Sequence, residues 1–190
     1  KNKVIINVLQ TEPVLFDKKA NINSIEEMLE SNNWFKPDLI VLPEVFGTGI
    51  FPPEDSPTES EKIPGLLSQK LTEWAQKYEC YILGGSIIEA CEDGKYRNNS
   101  LLVDPSGEII ASYNKQHMFS HFGSREGEFV TPGTETVVVQ TEIGKIGMSV
   151  CYDLRFPELY RALPDNGAEM ITVHAAWRFP RLLHWLNLNK

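Results

Sequence analysis

The sequence has few cysteines and no long apolar run, and both absences narrow what the protein can be. Its three cysteines, Cys80, Cys91 and Cys151, are odd in number and widely spaced, which argues against a disulfide framework or a zinc knuckle. A reducing, cytoplasmic setting is therefore expected. No run of about 18 apolar residues occurs, so no membrane helix and no membrane partner are predicted. The first residues also lack the layout of a signal peptide.

Basic residues are in the minority as well. The 18 lysines and arginines stand against 26 aspartates and glutamates, which gives a formal net charge of −8. Proteins that bind phosphate backbones need a basic face, so no nucleic-acid partner is expected. No internal repeat or low-complexity segment is found, and 190 residues fit a single domain over residues 1–190.

Short apolar runs alternate with amphipathic segments along the chain, which predicts an α/β layered domain with a mixed sheet. Strands are predicted over residues 4–9, 39–43, 81–88, 97–103, 109–113, 136–140, 145–150 and 170–173, and helices over 21–31, over 66–78, from 158 and from 184. The first strand should be buried, and Asn21 or Asn23 should cap the first helix. Residues 47–64 are rich in Gly and Pro and predict a long loop.

Cys151 lies where a predicted strand turns toward a helix. Such a turn holds a side chain out at the end of the strand and aims the next backbone N–H, that of Tyr152, at a reacting atom. A helix N-terminus also lowers the pKa of a thiol, which favours the nucleophilic thiolate. Taken alone, however, a cysteine at a strand end is more often a small core residue.

Glu44 and Lys115 follow two other predicted strands. A carboxylate at a strand end, with a raised pKa, could take a proton from a thiol and later return it, although a capping or ion-paired loop carboxylate is an equal alternative. A lysine could stabilise an oxyanion as a point charge, although most such lysines are surface residues. His117 is a second candidate base, and we rank it below Glu44 because it lies two residues from Lys115.

Three segments together resemble the signature segments of the nitrilase superfamily of carbon–nitrogen hydrolases. They are Leu42-Pro43-Glu44, Tyr113-Asn114-Lys115-Gln116-His117-Met118-Phe119 and Cys151-Tyr152-Asp153-Leu154-Arg155-Phe156-Pro157-Glu158. Their order and spacing fit, and the resemblance covers essentially the whole chain. It implies that Glu44, Lys115 and Cys151 form the catalytic set, with Cys151 as nucleophile, Glu44 as general base and Lys115 with the Tyr152 amide as the oxyanion hole.

The resemblance carries further expectations. A second catalytic glutamate should be Glu126, with Glu128 as the alternative. Arg155 and Glu158 should form a structural ion pair, and the Asn98-Asn99-Ser100 segment should be structural too. Trp177 and Tyr152 should contact substrate. The fold should be a four-layer α-β-β-α sandwich in a homodimer or larger assembly, with a C-terminal part beyond Lys190.

The resemblance leaves three types of enzyme within the superfamily open, and they differ in substrate class. The segment after Cys151 is more similar to that of amidases than to that of true nitrilases, so we expect a small-molecule amide substrate, opened without a cofactor or a metal. An ω-amidase is the favoured form, and a nitrilase or an N-carbamoyl amidohydrolase is the alternative. A catalytically silent binding subunit with the same fold is the alternative of another class.

Overall fold

A computed structural model describes residues 3–32, 36–49, 59–121, 125–177 and 181–189 of the chain. Half of the predicted loop over residues 47–64, namely residues 50–58, lies outside the described residues. In chain order the elements are β1 Ile6–Val8, α1 Lys18–Ser31, β2 Leu39–Val41, α2 Leu66–Tyr78, β3 Tyr81–Leu83, β4 Ile87–Ala90, β5 Tyr96–Val103, β6 Ile109–Asn114, α3 Glu126–Phe129, β7 Val138–Thr141, β8 Gly144–Val150, a 3₁₀ turn Cys151–Arg155, α4 Pro157–Asp165, β9 Met170–His174 and α5 Leu182–Leu188.

The first six strands form one sheet, here called sheet A. Strands β1, β2 and β3 are parallel neighbours, and α1 and α2 supply the connections that parallel strands require. Strand β5 then pairs antiparallel with β3, β4 and β6. Strands β5 and β6 form a hairpin around the turn Asp104-Pro105-Ser106-Gly107 and confirm the two strands predicted over residues 97–103 and 109–113.

The remaining strands form sheet B, in the order β7-β8-β9. Strands β7 and β8 make an antiparallel hairpin, and α4 connects β8 to its parallel neighbour β9. Because β8 is central and buried on both faces, its apolar end can hold a reactive side chain out of water.

Two hydrophobic cores lie between the four layers, and the second of them spans two of the three interfaces. One core lies between helices α1 and α2 and the outer face of sheet A, with members such as Ile25, Leu71 and Ile82. The other lies between the two sheets and continues to α4, with members such as Leu83 and Met148. The layers therefore run helix, sheet, sheet, helix, and the predicted α-β-β-α sandwich is confirmed.

Three local predictions were wrong. Strand β1 is not buried, since Ile6 is 42% and Val8 69% exposed, because it lies at the edge of sheet A beyond the cover that the described part of sheet B provides. Helix α1 begins at Lys18 with Asp17 as its N-cap. Asn21 lies inside that helix, where its buried amide joins the backbone of residues 14 and 47.

The predicted strand over residues 81–88 is in fact two strands, β3 and β4. They are separated by a glycine pair whose second member, Gly85, has φ +49°. A Cβ at Gly85 would lie 1.8 Å from the Pro43 carbonyl oxygen, so only glycine permits this turn. No helix in the described ranges is both long and apolar enough to cross a membrane.

Candidate active site

Four titratable side chains meet at one end of the two sheets. Glu44 follows β2, Lys115 follows β6, Cys151 follows β8, and Glu126 is the first residue of α3. None is more than 8% exposed. Each charged member is therefore removed from water, so its protonation is decided by the other members of the group. The first three are the residues that the sequence segments pointed to.

Lys115 is the centre of this group. Its ammonium Nζ donates to Glu44 Oε1 at 2.8 Å and to both oxygens of Glu126, at 3.0 and 2.8 Å. The Asn98 amide Nδ2 donates to the same two carboxylates, at 3.0 and 2.9 Å. Two buried carboxylates therefore share one cation and one amide, which together offset the cost of burying like charges side by side.

Cys151 stands in the left-handed region of backbone space, with φ 48°. A non-glycine residue there is strained, and the strain is held by the strand before it and the 3₁₀ turn after it. The thiol and the Glu44 carboxylate interact, and each shifts the pKa of the other. One carboxylate oxygen of Glu44, Oε1, accepts from Lys115, and the other, Oε2, accepts from the Ala176 backbone N–H at 3.0 Å. Glu44 is thus fixed by hydrogen bonds from a lysine and a backbone amide.

The protonation of the group differs from the expectation. Burial and the adjacent Glu44 carboxylate raise the pKa of the Cys151 thiol well above its ordinary value, so the prediction of a lowered thiol pKa was wrong. Burial by itself would raise the pKa of Glu44. The charge of Lys115 and the hydrogen bonds that the Glu44 carboxylate accepts nevertheless hold that pKa below the ordinary value. The prediction of a raised Glu44 pKa was therefore wrong as well. The resting state is a neutral thiol beside a carboxylate.

Glu126 is the counterpart of Glu44. Burial raises the pKa of Glu126 above its ordinary value, against the opposing effect of Lys115, and the charge of Glu44 adds to the rise. The two carboxylates thus have pKa values pushed apart. Lys115 resists the effect of burial because Glu44 and Glu126 raise its pKa, so it stays charged.

The structure also separates the two candidates for the second glutamate. Glu126 is buried, and its Oε2 also accepts from the Phe119 backbone N–H at 2.8 Å. Glu128 points away, is exposed, and pairs with Arg125. The geometry therefore brings Glu126 to the group and leaves Glu128 outside it.

The backbone around Glu44 is built to hold its carboxylate. Val45 has φ 45°, which is a costly conformation for a β-branched residue. Its N–H donates to the buried Ser86 Oγ at 3.0 Å. The close approach of Gly85 to the Pro43 carbonyl completes this support, so the β3–β4 turn fixes the direction in which Glu44 points.

The Arg155 guanidinium lies near two aromatic rings, those of Tyr152 and Trp177, in the region after Cys151. The Arg155 guanidinium carbon lies 5.3 Å from the Tyr152 ring centre and 5.8 Å from that of Trp177. Its Nη2 lies 3.0 Å from Nδ1 of His184. The predicted ion pair with Glu158 is not among the ion pairs of the described residues, since Glu158 is exposed and turned outward at the start of α4.

Three buried polar residues were missed or undervalued from the sequence. Asn98 was expected to be structural, yet it bridges both carboxylates. Asp153 organises the turn that carries Cys151, and His174 lies in β9 as the register partner of Val150. Asn98 and His174 are polar residues inside strands, and Asp153 follows the apolar end of β8 by three residues; those positions were the available signal. No three metal-ligating side chains come together within the described part of the chain.

The fold and this buried group of one thiol, one ammonium and two carboxylates define a class of hydrolases with the four-layer sandwich. The chain belongs to the carbon-nitrogen hydrolase family, whose model matches residues 6–189. Solved structures agree. A carbon-nitrogen hydrolase superfamily protein of Xanthomonas campestris, XC1258, superposes with a TM-score of 0.85 at 25% identity, covering 97% of this chain and 69% of that one. Saccharomyces cerevisiae Nit3, a member of the nitrilase superfamily, gives 0.82 at 27% identity with the same coverage.

Curated relatives are similar over most of this chain. A hydrolase of Schizosaccharomyces pombe is 38% identical over 78% of the chain and 48% of its own length. The deaminated glutathione amidase of Yersinia enterocolitica is 40% identical over 64% and 46%. An omega-amidase of Danio rerio is 32% identical over 77% and 54%. The chain thus spans about half the length of the curated relatives it matches.

Proposed function

We propose that the protein hydrolyses small-molecule amides through a cysteine thioester. The observation that carries this proposal is the Lys115 ammonium held between two buried carboxylates, Glu44 and Glu126, with the charge of Glu44 acting on the buried Cys151 thiol. Such an arrangement supplies a nucleophile, a base and an oxyanion stabiliser within one water-poor site. The amidase names of several relatives support the same class.

The first half of the proposed reaction forms the thioester. Glu44 takes the thiol proton as the Cys151 sulfur bonds to the amide carbonyl carbon, so a free thiolate never accumulates, in keeping with the raised thiol pKa. The carbonyl oxygen becomes an oxyanion, stabilised by the Lys115 ammonium and the Tyr152 N–H. Tyr152 is the second residue of the 3₁₀ turn, where backbone N–H groups have no acceptor within the turn. The C–N bond then breaks, and ammonia leaves with the proton from Glu44.

The second half releases the acid. Glu44, again ionised, takes a proton from water while the water oxygen attacks the thioester carbonyl carbon. The carbon–sulfur bond breaks, and the Glu44 proton returns to sulfur. The products are a carboxylic acid, ammonia and the starting thiol. Glu126 and Asn98 keep Lys115 and Glu44 in place throughout, so we assign Glu126 an orienting role beside Lys115.

The favoured substrate is an ω-amide that carries a carboxylate at its other end. Arg155 has no carboxylate partner among the described residues and lies between the Tyr152 and Trp177 rings. A guanidinium binds a carboxylate through paired hydrogen bonds. We therefore assign Arg155 to the free carboxylate of the substrate, and Tyr152 and Trp177 to its carbon chain.

The central experiment measures ammonia release from an ω-amide of a dicarboxylic acid by the full-length protein. The Cys151→Ala variant should lose at least about 10³-fold in turnover, while Cys80→Ala and Cys91→Ala, which remove the other two thiols, should keep it. A Cys151→Ala protein that is folded and still turns over the amide would overturn the nucleophile assignment.

The competing functions give different products. A nitrilase would release ammonia from a simple nitrile, and an N-carbamoyl amidohydrolase would release carbon dioxide as well as ammonia from an N-carbamoyl amino acid. A silent binding subunit would release ammonia from none of these. Selective alkylation of Cys151 by iodoacetamide, with Cys80 unlabelled, would add evidence against silence. Burial raises the pKa of both thiols, so only a base that takes the thiol proton, as proposed for Glu44, would make Cys151 the reactive one.

The carboxylate assignment has its own control. Arg155→Met should lower kcat/KM for the acid-bearing ω-amide by about 10- to 100-fold, the usual effect of one charge-assisted contact of about 1.5–3 kcal/mol. It should leave kcat/KM for a neutral aliphatic amide of the same length nearly unchanged. Equal losses on both substrates would mean that Arg155 supports the turn and not the substrate.

The resemblance also implies a homodimer or larger assembly, and the cysteine content implies a cytoplasmic setting. Three leucines of α5 are at least 47% exposed, Leu182, Leu183 and Leu186, and form an apolar face that such an assembly would cover. Three free cysteines support a reducing compartment. Light scattering of the full-length protein and imaging of a fluorescent fusion would test the two proposals.

A further inference from the structure

The Asp153 carboxylate is completely buried and has four hydrogen bonds. Its Oδ2 accepts from the Tyr113 hydroxyl at 2.7 Å and from the Val150 N–H at 3.0 Å. Its Oδ1 accepts from the His117 backbone N–H at 3.0 Å and contacts the His117 ring Nδ1 at 2.7 Å. A carboxylate accepting this many bonds is strongly fixed in direction.

These partners belong to two different sheets. Tyr113 is in β6 of sheet A, and His117 follows Lys115 by two residues. Val150 ends β8 of sheet B and directly precedes Cys151. One carboxylate therefore joins the segment that carries the lysine to the turn that carries the thiol, at the place where the sheets face each other.

His117 is clamped from both sides. Its Nδ1 faces Asp153, and its ring stacks on Phe156 with the centres 3.5 Å apart and the planes 9° from parallel. Because an ionised carboxylate only accepts, Nδ1 carries the hydrogen in this contact. In the proposed reaction the Cys151 proton passes to Glu44, whose charge acts on the thiol, so His117 lies outside the proton path.

The backbone of Lys115 is held from the opposite side. Its N–H donates to the Asn98 carbonyl at 2.9 Å, and its carbonyl accepts from the Gly133 N–H at 2.8 Å. Those bonds fix the Lys115 backbone to β5 and to the segment between α3 and β7. The contacts of Asp153 are what relate that position to the turn of sheet B.

We propose that Asp153 and His117 are a positioning pair that sets the distance between the Lys115 ammonium and the Cys151 sulfur. The pair touches neither the reacting atoms nor the substrate, and this role rests on the proposed amidase function. Releasing it lets the segment after β6 shift, which loosens Lys115 between Glu44 and Glu126. Transition-state stabilisation then falls more than substrate binding does.

The test compares three variants of the full-length protein. His117→Asn keeps an N–H donor at the position of Nδ1, His117→Leu removes it, and Asp153→Asn removes the charge and part of the acceptor capacity. We expect kcat of His117→Leu and Asp153→Asn to fall about 10- to 100-fold with KM changed less than about threefold, as for loss of an interaction realised in the transition state. His117→Asn should stay within about threefold of the parent chain.

A pH profile separates positioning from general loss of structure. Glu44 is faced by Lys115, Glu126, Cys151 and His174. Loosening Lys115 removes the main charge that lowers the pKa of Glu44, so the acid limb of kcat/KM should move to higher pH in His117→Leu and return in His117→Asn. A variant that is only less folded would lose active sites without moving this limb, and titration of active sites with iodoacetamide normalises for that loss.

The outcomes are decisive in either direction. An unchanged acid limb and normal kcat in His117→Leu would overturn the proposal, and so would a His117→Asn protein as inactive as His117→Leu, because that would make the imidazole itself the base. If the parent chain hydrolyses no amide, the proposed function fails. The rate at which iodoacetamide alkylates Cys151 still tests the pair, and equal rates in all three variants would overturn it.

Discussion

Acid should destabilise this protein through one buried imidazole, that of His174. Its side chain is buried, its register partner in β8 is Val150, and neither ring nitrogen has a hydrogen-bond partner in the described structure. Burial lowers the pKa of His174 from 6.5 to about 4, with Glu44 opposing and Lys115 adding to the effect. The ring is therefore neutral in the folded protein throughout the physiological range.

The sign and size of the effect follow from this shift. Between pH 6.5 and about 4 the unfolded chain takes up a proton on His174 that the folded protein refuses. The free energy of unfolding therefore falls as the pH drops through this window and loses no more from this group below it. At about 1.36 kcal/mol per pKa unit, the shift corresponds to about 3 kcal/mol.

The perturbation is His174→Leu, which replaces the buried imidazole with an apolar side chain of similar volume. Urea unfolding of the parent chain and the variant at several pH values from 7.5 to 4 gives the free-energy difference at each pH, in which effects of all other groups cancel. That difference should change by about 3 kcal/mol in favour of the variant. His184→Gln, which removes an exposed imidazole, controls for loss of a histidine.

A difference that stays constant within about 1 kcal/mol across this range would refute the reasoning. It would mean that His174 takes up its proton equally easily in the folded and unfolded chains, and hence that its ring reaches water or an acceptor in the fold.

Two further substitutions test the support of the two carboxylates. Gly85→Ala should lower the free energy of unfolding by about 3 kcal/mol or more, because the new Cβ would overlap the Pro43 carbonyl oxygen. The control is Gly94→Ala, where φ is also positive but no atom lies within 4 Å of the new Cβ. Urea unfolding should show a loss of only about 1–2 kcal/mol for that control. Asn98→Leu removes a donor from both carboxylates, which raises their pKa values. The acid limb of kcat/KM should then move to higher pH, and Asn99→Leu, which alters the neighbouring amide, should leave that limb in place.

Much of the fold was predictable because local apolar patterns report burial directly. Helix α2 was predicted over its observed range, Leu66–Tyr78, since its apolar residues recur at helical spacing. The exposure of β1 was not predictable, because apolar residues in an edge strand look the same in sequence as those in a central strand. The break between β3 and β4 was also missed, since it depends on how closely Gly85 approaches a segment about 40 residues earlier.

The sequence by itself determined which segments meet at the candidate active site. Glu44, Lys115 and Cys151 each follow an apolar strand within a recognisable segment, and strand ends of neighbouring sheets meet at one edge. Only the tertiary structure decided the protonation of the group, the choice of Glu126 over Glu128, and the involvement of Asn98 and Asp153. The physical reason is that a pKa or a hydrogen bond depends on groups far apart in the chain, such as Glu44 and the Ala176 amide, which are separated by 132 positions. Periodicity reports only which side of its own element a residue occupies.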